Sequence, residues 1–293
     1  MKKGNLTQVI LEQALSIFLM DLKAAGRSPS TIRFYQREVT LFSRFLGASP
    51  LQASPDDLRR YFVHLRDRRN AHGLAAAWRA LRAFYNWAAR EGFIPESPMR
   101  ALTPPRPPQD VLPAIPEEHI KKMLAAAASW RDRAIILVLL DTGLRASELL
   151  KLKIRDVDLE SGVIIVRGKG GHAAPVYLGN RSRAALTRYL ALERQNPQPD
   201  EPLFLSARGG PLAYRSLLEI LARLSVRAGV PRHSPHAFRR TFALRMLEAG
   251  VSVFVLQRLM RLRSLDVLRR YLPLTPEHAR VALEQAGHPG DRL

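Results

Sequence analysis

Apolar residues recur every three or four positions along residues 6–93, which is the period of an α-helix that buries one face. The pattern predicts four helices, which run from Leu6 to Ala25, from Ser30 or Thr31 to near Gly47, onward from Ser54, and from Leu74 to Arg90. Ser54-Pro55-Asp56-Asp57 is a strong start signal, because serine caps a helix, proline suits its first turn and acids complement its dipole. We therefore expect a helical domain over residues 1–95.

The later part of the chain adds a short β-pattern to the helical one. Residues 163–166 and 174–178 favour β-strand and flank Gly168-Lys169-Gly170-Gly171, which predicts a hairpin with a lysine in its turn. Helices are predicted around it, at 116–127, 131–140, 145–150, 180–193, 214–228, 235–249, 253–258 and 265–272. The expected fold class is mainly α with a small antiparallel β-sheet, in two domains.

A proline-rich stretch separates these two patterns. It contains Pro104-Pro105-Arg106-Pro107-Pro108, and proline both fixes φ and removes a backbone donor. We predict a semi-rigid linker over residues 96–113. The second domain is then expected over 114–293, and it ends in a short amphipathic helix from Glu277 to Gln285.

The charge of the chain points to a polyanionic partner. Lysine and arginine number 46 and aspartate and glutamate 26 among 293 residues, for a formal net charge of +20. A basic excess within structured segments favours nucleic acid, because neutralising phosphates releases counterions. On the fourth predicted helix, Arg79, Arg82 and Arg90 fall away from the apolar stripe and are candidate contacts to a DNA backbone. A merely solvated helix face is the alternative.

Composition also excludes other classes of protein. The chain contains no cysteine, which rules out disulfides, cysteine nucleophiles and cysteine-type zinc sites. No apolar run approaches the ~18 residues of a membrane span. The segment from Met1 to Leu11 lacks the features of a signal peptide. We expect a soluble, cytoplasmic protein with no membrane association.

Four short motifs follow one another in the second predicted domain. They are Thr142-Gly143-Leu144-Arg145 with Glu148 close behind, Arg167-Gly168-Lys169-Gly170, His236-Ala237-Phe238-Arg239-Arg240, and Tyr271. Each alone has an ordinary structural explanation, but in this order and spacing they resemble the tyrosine recombinases, the family of phage integrases and Xer-type recombinases. The resemblance implies a helical SAM-like core-binding domain followed by a catalytic domain, which together clamp DNA.

The residue types in these motifs suit phosphodiester cleavage. Arginine matches phosphate geometry and stays charged, so Arg145 and Arg239 can hold the two non-bridging oxygens. His236 can move a proton near neutral pH. Lys169 can protonate the departing 5′ oxygen. We find no acidic cluster that suggests a metal site.

The resemblance also implies roles and partners. Tyr271 is expected to be the nucleophile and to form a 3′-phosphotyrosine, which conserves energy, so no ATP, metal or other cofactor is expected. Glu148 should orient the site and Arg240 should contact DNA. The family acts on double-stranded DNA as four protomers on two sites. We therefore expect a homotetramer on DNA, a monomer when free, and docking of the C-terminal helix into a neighbouring protomer.

One segment departs from the family pattern. The family usually carries Leu-Gly-His, its histidine nine residues before the nucleophile, where this chain has Met260-Arg261-Leu262. Leucine cannot donate a hydrogen bond to phosphate, so a donor is lost unless Arg261 or Arg263 replaces it. Two alternatives to a recombinase therefore stay open. One is a catalytically weakened DNA-binding protein derived from a recombinase, and the other is a topoisomerase-like enzyme that cleaves DNA without synapsis.

Overall fold

The computed structural model describes residues 3–108, 113–167, 173–262, 264–265, 284 and 287. The chain divides into two compact units, Met1–Gln109 and Asp110–Leu293. The described elements are mostly helical and include one three-stranded antiparallel sheet. The predicted fold class, mainly α with a small antiparallel sheet, is confirmed.

Helices form most of the described part of the first unit. They are α1 (Lys3–Ala24), α2 (Pro29–Leu46), α3 (Pro55–Arg66) and α4 (Ala71–Arg90), with short 3-10 turns at Pro50–Gln52 and Pro98–Ala101. Helix α3 begins as predicted, because the Ser54 hydroxyl accepts a hydrogen bond from the Asp57 amide at 3.2 Å. Helix α2 begins earlier than predicted. Its cap is Ser28, not Ser30 or Thr31, and Pro29 is its first residue.

The core of the first unit is built on α4. The predicted apolar stripe of this helix is buried at Trp78, Leu81, Tyr85 and Ala88. The Tyr85 hydroxyl donates to the Pro50 carbonyl at 2.7 Å, which satisfies a buried polar group. Met99, from the predicted linker, also lies in this core. The start of that linker, including the turn Pro98–Ala101, therefore packs as part of the helical unit and is not extended.

The second unit surrounds a buried helix with further helices and the sheet. Its elements are α5 (Glu117–Ala126), α6 (Trp130–Thr142), α7 (Ala146–Leu149), a 3-10 turn (Ile154–Asp156), β1 (Val157–Asp158), β2 (Val163–Arg167), β3 (Ala173–Tyr177), α8 (Asn180–Glu193), α9 (Tyr214–Arg227), α10 (Pro235–Glu248) and α11 (Val253–Leu259). Helix α6 is buried along residues 134–139 and lies against α8 and α10. This packing brings the end of α6 next to α10, where the candidate site lies.

The sheet contains the predicted hairpin. Strand β2 pairs antiparallel with both β1 and β3, and Ile164 lies opposite Val176 on the buried face. The register places Arg167 opposite Ala173 at the end of the ladder. The connection through residues 168–172, with Lys169, lies outside the described residues.

Candidate active site

Arg145 lies at the start of α7, directly after a turn that ends α6. Gly143 makes that turn with φ +55°, and a Cβ there would overlap the ring of Phe242, so glycine is required on two grounds. Glu148 completes the turn by accepting a hydrogen bond from the Arg145 backbone amide at 2.9 Å. Its other oxygen accepts from Arg145 Nη1 at 2.7 Å. The Arg145 side chain is 42% exposed and accessible to a ligand.

Helix α10 carries His236 and Arg239 on one face, since positions three apart on a helix are neighbours. The helix begins as predicted, with Pro235 in its first turn. The Ser234 hydroxyl accepts a hydrogen bond from the Ala237 amide at 3.3 Å. His236 is exposed at the surface of the helix, whereas Arg239 is buried.

The buried Arg239 guanidinium joins three segments of the chain. Its Nη1 donates to the Gly143 carbonyl at 2.6 Å, and its Nη2 donates to the Met260 carbonyl at 2.5 Å. Nη1 also lies 4.0 Å from the carboxylate of Glu148, which binds Arg145. The two arginines predicted to hold phosphate are therefore brought to one place by the ends of α6 and α11 and by α10.

Glu148 is the acceptor at the centre of this cluster. Besides Arg145, it accepts a hydrogen bond from Arg261 Nη2 at 2.8 Å, and its side chain is only 12% exposed. Burial opposes ionisation, but the hydrogen bonds from Arg261 and Arg145 outweigh it and lower the pKa of Glu148. The group is therefore a carboxylate at neutral pH and holds its arginines by charge as well as by geometry.

The site also affects the protonation of His236. Although His236 is exposed, the protein around its ring partly desolvates it, and this desolvation, followed by the positive charges of Arg240 and Arg239, lowers the pKa of His236 below its ordinary value. The neutral form of the imidazole is accordingly the major one at pH 7. A neutral imidazole can accept a proton.

The segment that departs from the family pattern also reaches the site. Arg261 has φ +53°, the left-handed conformation, which costs a non-glycine residue ~1–2 kcal/mol. Its carbonyl accepts a hydrogen bond from Arg145 Nη2 at 3.3 Å. Leu262 is partly buried and packs against the apolar cluster of Phe242, Ala243, Leu256 and Met260. The position expected to hold a histidine thus contributes to packing.

Lys169, Arg263 and Tyr271 lie outside the described residues, as do most of the helices predicted at 265–272 and 277–285. The roles assigned to them from the sequence stay predictions. The structure brings together Arg145, Glu148 and Arg239, with His236 one helical turn from Arg239.

The arginines predicted to contact DNA differ in their surroundings. Arg79, Arg82 and Arg90 are exposed on α4, and the Arg82 guanidinium lies 5.2 Å from the centre of the Trp78 ring. Arg240 is only partly exposed, and its Nε donates to the Pro113 carbonyl at 3.0 Å. Arg240 therefore holds the segment before α5 against α10, in addition to the role predicted for it.

Sequence reasoning missed two contacts that support α10. The Thr241 hydroxyl, which is buried, accepts a hydrogen bond from the Ile115 amide at 2.8 Å. His119 Nδ1 lies 3.2 Å from His233 Nε2, just before the helix. Each contact joins residues more than a hundred positions apart, as their numbering shows. Hydrophobic periodicity and local motifs carry no signal for such pairs.

The described residues contain neither a candidate metal site nor a candidate membrane span. No group of three or more histidine, aspartate or glutamate side chains there is arranged to hold a metal ion. Within the same residues, no helix combines the length and the apolar character needed to cross a bilayer.

Comparison with known proteins identifies the family. A sequence model described as the phage integrase family matches residues 113–278, and one described as the phage integrase N-terminal SAM-like domain matches residues 15–92. The first covers more than half of the chain. The chain therefore belongs to the phage integrase family, and the predicted class is confirmed: a tyrosine recombinase, an enzyme that cleaves and rejoins DNA strands.

Curated relatives are similar in sequence to most of this chain. Tyrosine recombinase XerC of Pelobacter propionicus is 31% identical in an alignment 299 residues long, gaps included, that covers 97% of this chain and 98% of that protein. Tyrosine recombinase XerA of Thermococcus kodakarensis is 33% identical over 279 residues, with 90% and 92% covered.

Solved structures share the fold. The crystal structure of XerA recombinase is 27% identical and covers 94% of this chain and 99% of its own, with a TM-score of 0.54. The Tn1549 transposon integrase in complex with circular intermediate DNA is 22% identical and covers 92% and 98%, with a TM-score of 0.73. At that identity the second likeness is evidence of the fold alone.

Proposed function

We propose that this protein is a site-specific recombinase that exchanges double-stranded DNA through a 3′-phosphotyrosine at Tyr271. The observation that carries the proposal is the convergence of Arg145 and Arg239 on the carboxylate of Glu148. Two arginines held this close, with one of them exposed, suit an anion that carries two non-bridging oxygens. A phosphodiester of DNA is such an anion.

In the proposed reaction the phenolic oxygen of Tyr271 attacks the scissile phosphorus. A bond from phosphorus to tyrosine forms, and the bond to the 5′ oxygen of the next nucleotide breaks. Neutral His236 accepts the phenol proton, and Lys169 donates a proton to the departing oxygen. The phosphotyrosine keeps the energy of the broken ester, so attack by a 5′ hydroxyl rejoins a strand without any further energy source.

The arginines act on the charge that develops at phosphorus. As the tyrosine oxygen approaches, negative charge grows on the non-bridging oxygens, and donors already fixed in place stabilise it without reorganisation. Glu148 holds Arg145 by its side chain and its backbone amide, while Arg239 is fixed by two carbonyls. The cluster thus supplies a preorganised cationic site.

The DNA partner follows by analogy with the structural relatives, and the assembly follows from the resemblance found in the sequence. Several of these are described as bound to DNA, among them the Tn1549 integrase, XerH recombinase and lambda integrase. We propose that Arg79, Arg82 and Arg90 contact the DNA backbone from α4. The chain is then a monomer when free and a homotetramer on two DNA sites. The net charge of +20 supports a polyanionic partner.

The proposal is tested by trapping the intermediate and then by assaying exchange. A DNA site nicked near the scissile phosphate loses its 5′ hydroxyl strand after cleavage, so a covalent protein–DNA adduct accumulates. Exchange is then assayed with two unnicked copies of the site. A recombinase would give recombinant products, whereas a topoisomerase-like enzyme would relax supercoils and give no recombinant products. Binding with neither adduct nor product would indicate a DNA-binding protein derived from a recombinase.

A further inference from the structure

Arg261 occupies a backbone position that is built for glycine. It follows the last residues of α11, where its amide donates to the Arg258 carbonyl at 3.0 Å and the Leu262 amide donates to the Gln257 carbonyl at 3.0 Å. This pair of bonds is the Schellman motif, and the residue at Arg261 must then be left-handed. An arginine that adopts this strained conformation, which glycine adopts freely, suggests a role for its side chain.

The Arg261 side chain is directed into the protein. It is only 12% exposed, its Nη2 donates to Glu148 at 2.8 Å, and its Nη1 donates to the Leu259 carbonyl at 2.7 Å. The Nε atom is buried without a hydrogen-bond partner among the described residues. A guanidinium bound in this way is poorly placed to bind phosphate directly, unlike the exposed guanidinium of Arg145.

Both the side chain and the backbone carbonyl of Arg261 help to hold Arg145 in place. The Arg261 side chain holds Glu148, which holds the amide and Nη1 of Arg145. The Arg261 carbonyl accepts directly from Arg145 Nη2. Arg145 is thereby held by Glu148 on one side and by the end of α11 on the other.

We propose that Arg261 is a positioning residue that fixes Arg145 for catalysis by binding Glu148. The inference rests on the proposed function, since it assigns Arg145 to the scissile phosphate. It also differs from the expectation drawn from the sequence, in which Arg261 itself donates to phosphate. The carboxylate of Glu148 binds both Arg145 and Arg261, and only Arg145 is open to solvent.

The test is the rate of adduct formation in two variants of Arg261, compared with a control variant. Arg261→Gly keeps the left-handed backbone and removes the guanidinium, so Arg145 loses one of its supports. Misplacement of a catalytic group by a remote change can cost up to ~100-fold, and we expect about 10- to 100-fold at saturating DNA. The DNA dissociation constant should change less than about twofold, because the Arg261 guanidinium is only 12% exposed and is bound to Glu148 and the Leu259 carbonyl. Arg261→Lys keeps one charged donor for Glu148 and should recover part of the rate.

The matched control is Asn196→Gly. Asn196 is the other non-glycine residue with positive φ among the described residues, and it is exposed. Its replacement relieves the same kind of backbone strain outside the site and should leave the rate unchanged. Thermal unfolding of all variants verifies that they are folded.

A second readout separates a positioning role from a direct one. In a Glu148→Gln background, Arg261→Gly should change the rate less than about twofold, because the route through Glu148 is already weakened. A full additional loss there, an unchanged rate in Arg261→Gly alone, or an equal loss of DNA binding would each overturn the inference. If the wild type forms no adduct, the proposed function fails instead. Coupling between Arg261 and Glu148, measured by urea unfolding of the same variants, then still tests the contact.

Discussion

Removing the Arg239 side chain should destabilise the protein more than removing the Arg145 side chain, although both are proposed to hold the same phosphate. The Arg239 guanidinium is buried and supplies charged hydrogen bonds to two backbone carbonyls, at Gly143 and Met260. Leaving one buried acceptor unpaired costs about 1–3 kcal/mol, so the loss of both bonds in Arg239→Ala should lower the free energy of unfolding by about 2–6 kcal/mol. Arg145 is 42% exposed, and Arg145→Ala should cost about 1 kcal/mol or less.

Both replacements should nevertheless slow cleavage. Each removes one preorganised donor from the transition state, which typically costs ~100-fold or more in rate. The assay pairs urea unfolding with adduct formation on a nicked site for each variant. Arg215→Ala is the control, since Arg215 is 91% exposed and pairs only with Glu219 among the described residues, at 3.0 Å. Equal unfolding free energies for the Arg239 and Arg145 variants would refute the assignment of Arg239 to both structure and chemistry.

Three further predictions concern pH, Leu262 and the C-terminal segment. The unfolding free energy of the free protein should fall as the pH drops below about 6.5, because the pKa values of His233 and His236 are lowered in the folded protein and the unfolded chain therefore binds more protons. Replacing both residues, His233→Gln with His236→Gln, should weaken the dependence of the unfolding free energy on pH between pH 7.5 and 5.5, as measured by urea unfolding. An unchanged dependence on pH would contradict the reasoning. Leu262→His should change the adduct rate little or slow it, since Leu262 packs on an apolar cluster, and a large acceleration would show that the position faces the phosphate. Deleting residues 276–293 should spare binding to one DNA site but weaken cooperative assembly on two, and unchanged synapsis in a gel-shift assay would remove the proposed docking.

Local chemistry explains what the sequence could predict. The start of α3 at Ser54 and of α10 at Ser234 follows from a serine cap before a proline, and both signals lie within four residues. The same signal is present at Ser28-Pro29, yet Ser30 and Thr31 are also capping residues, and they gave a predicted start for α2 that is too late. The hairpin strands were also found from short runs of residues that favour strands.

The arrangement of the site depended on contacts that no local pattern encodes. Glu148 was expected only to orient the site, but its hydrogen bond to Arg261 joins residues 113 positions apart. Likewise, Arg239 bonds to the carbonyls of Gly143 and Met260, and a carbonyl has no residue-specific signal in the sequence. The left-handed turn at Arg261 also could not be predicted from the sequence, because glycine usually marks such a turn and this position holds arginine.

The covalent intermediate provides the most direct test of the whole account. The protein is incubated with a nicked DNA site, digested with nuclease and protease, and the modified peptide is identified by mass spectrometry. The account predicts a single nucleotide-modified residue, Tyr271, joined through a 3′ phosphate, and no adduct in Tyr271→Phe although that variant still binds the site. An adduct on another residue, such as Tyr177, Tyr189 or Tyr214, or an undiminished adduct in Tyr271→Phe, would contradict it.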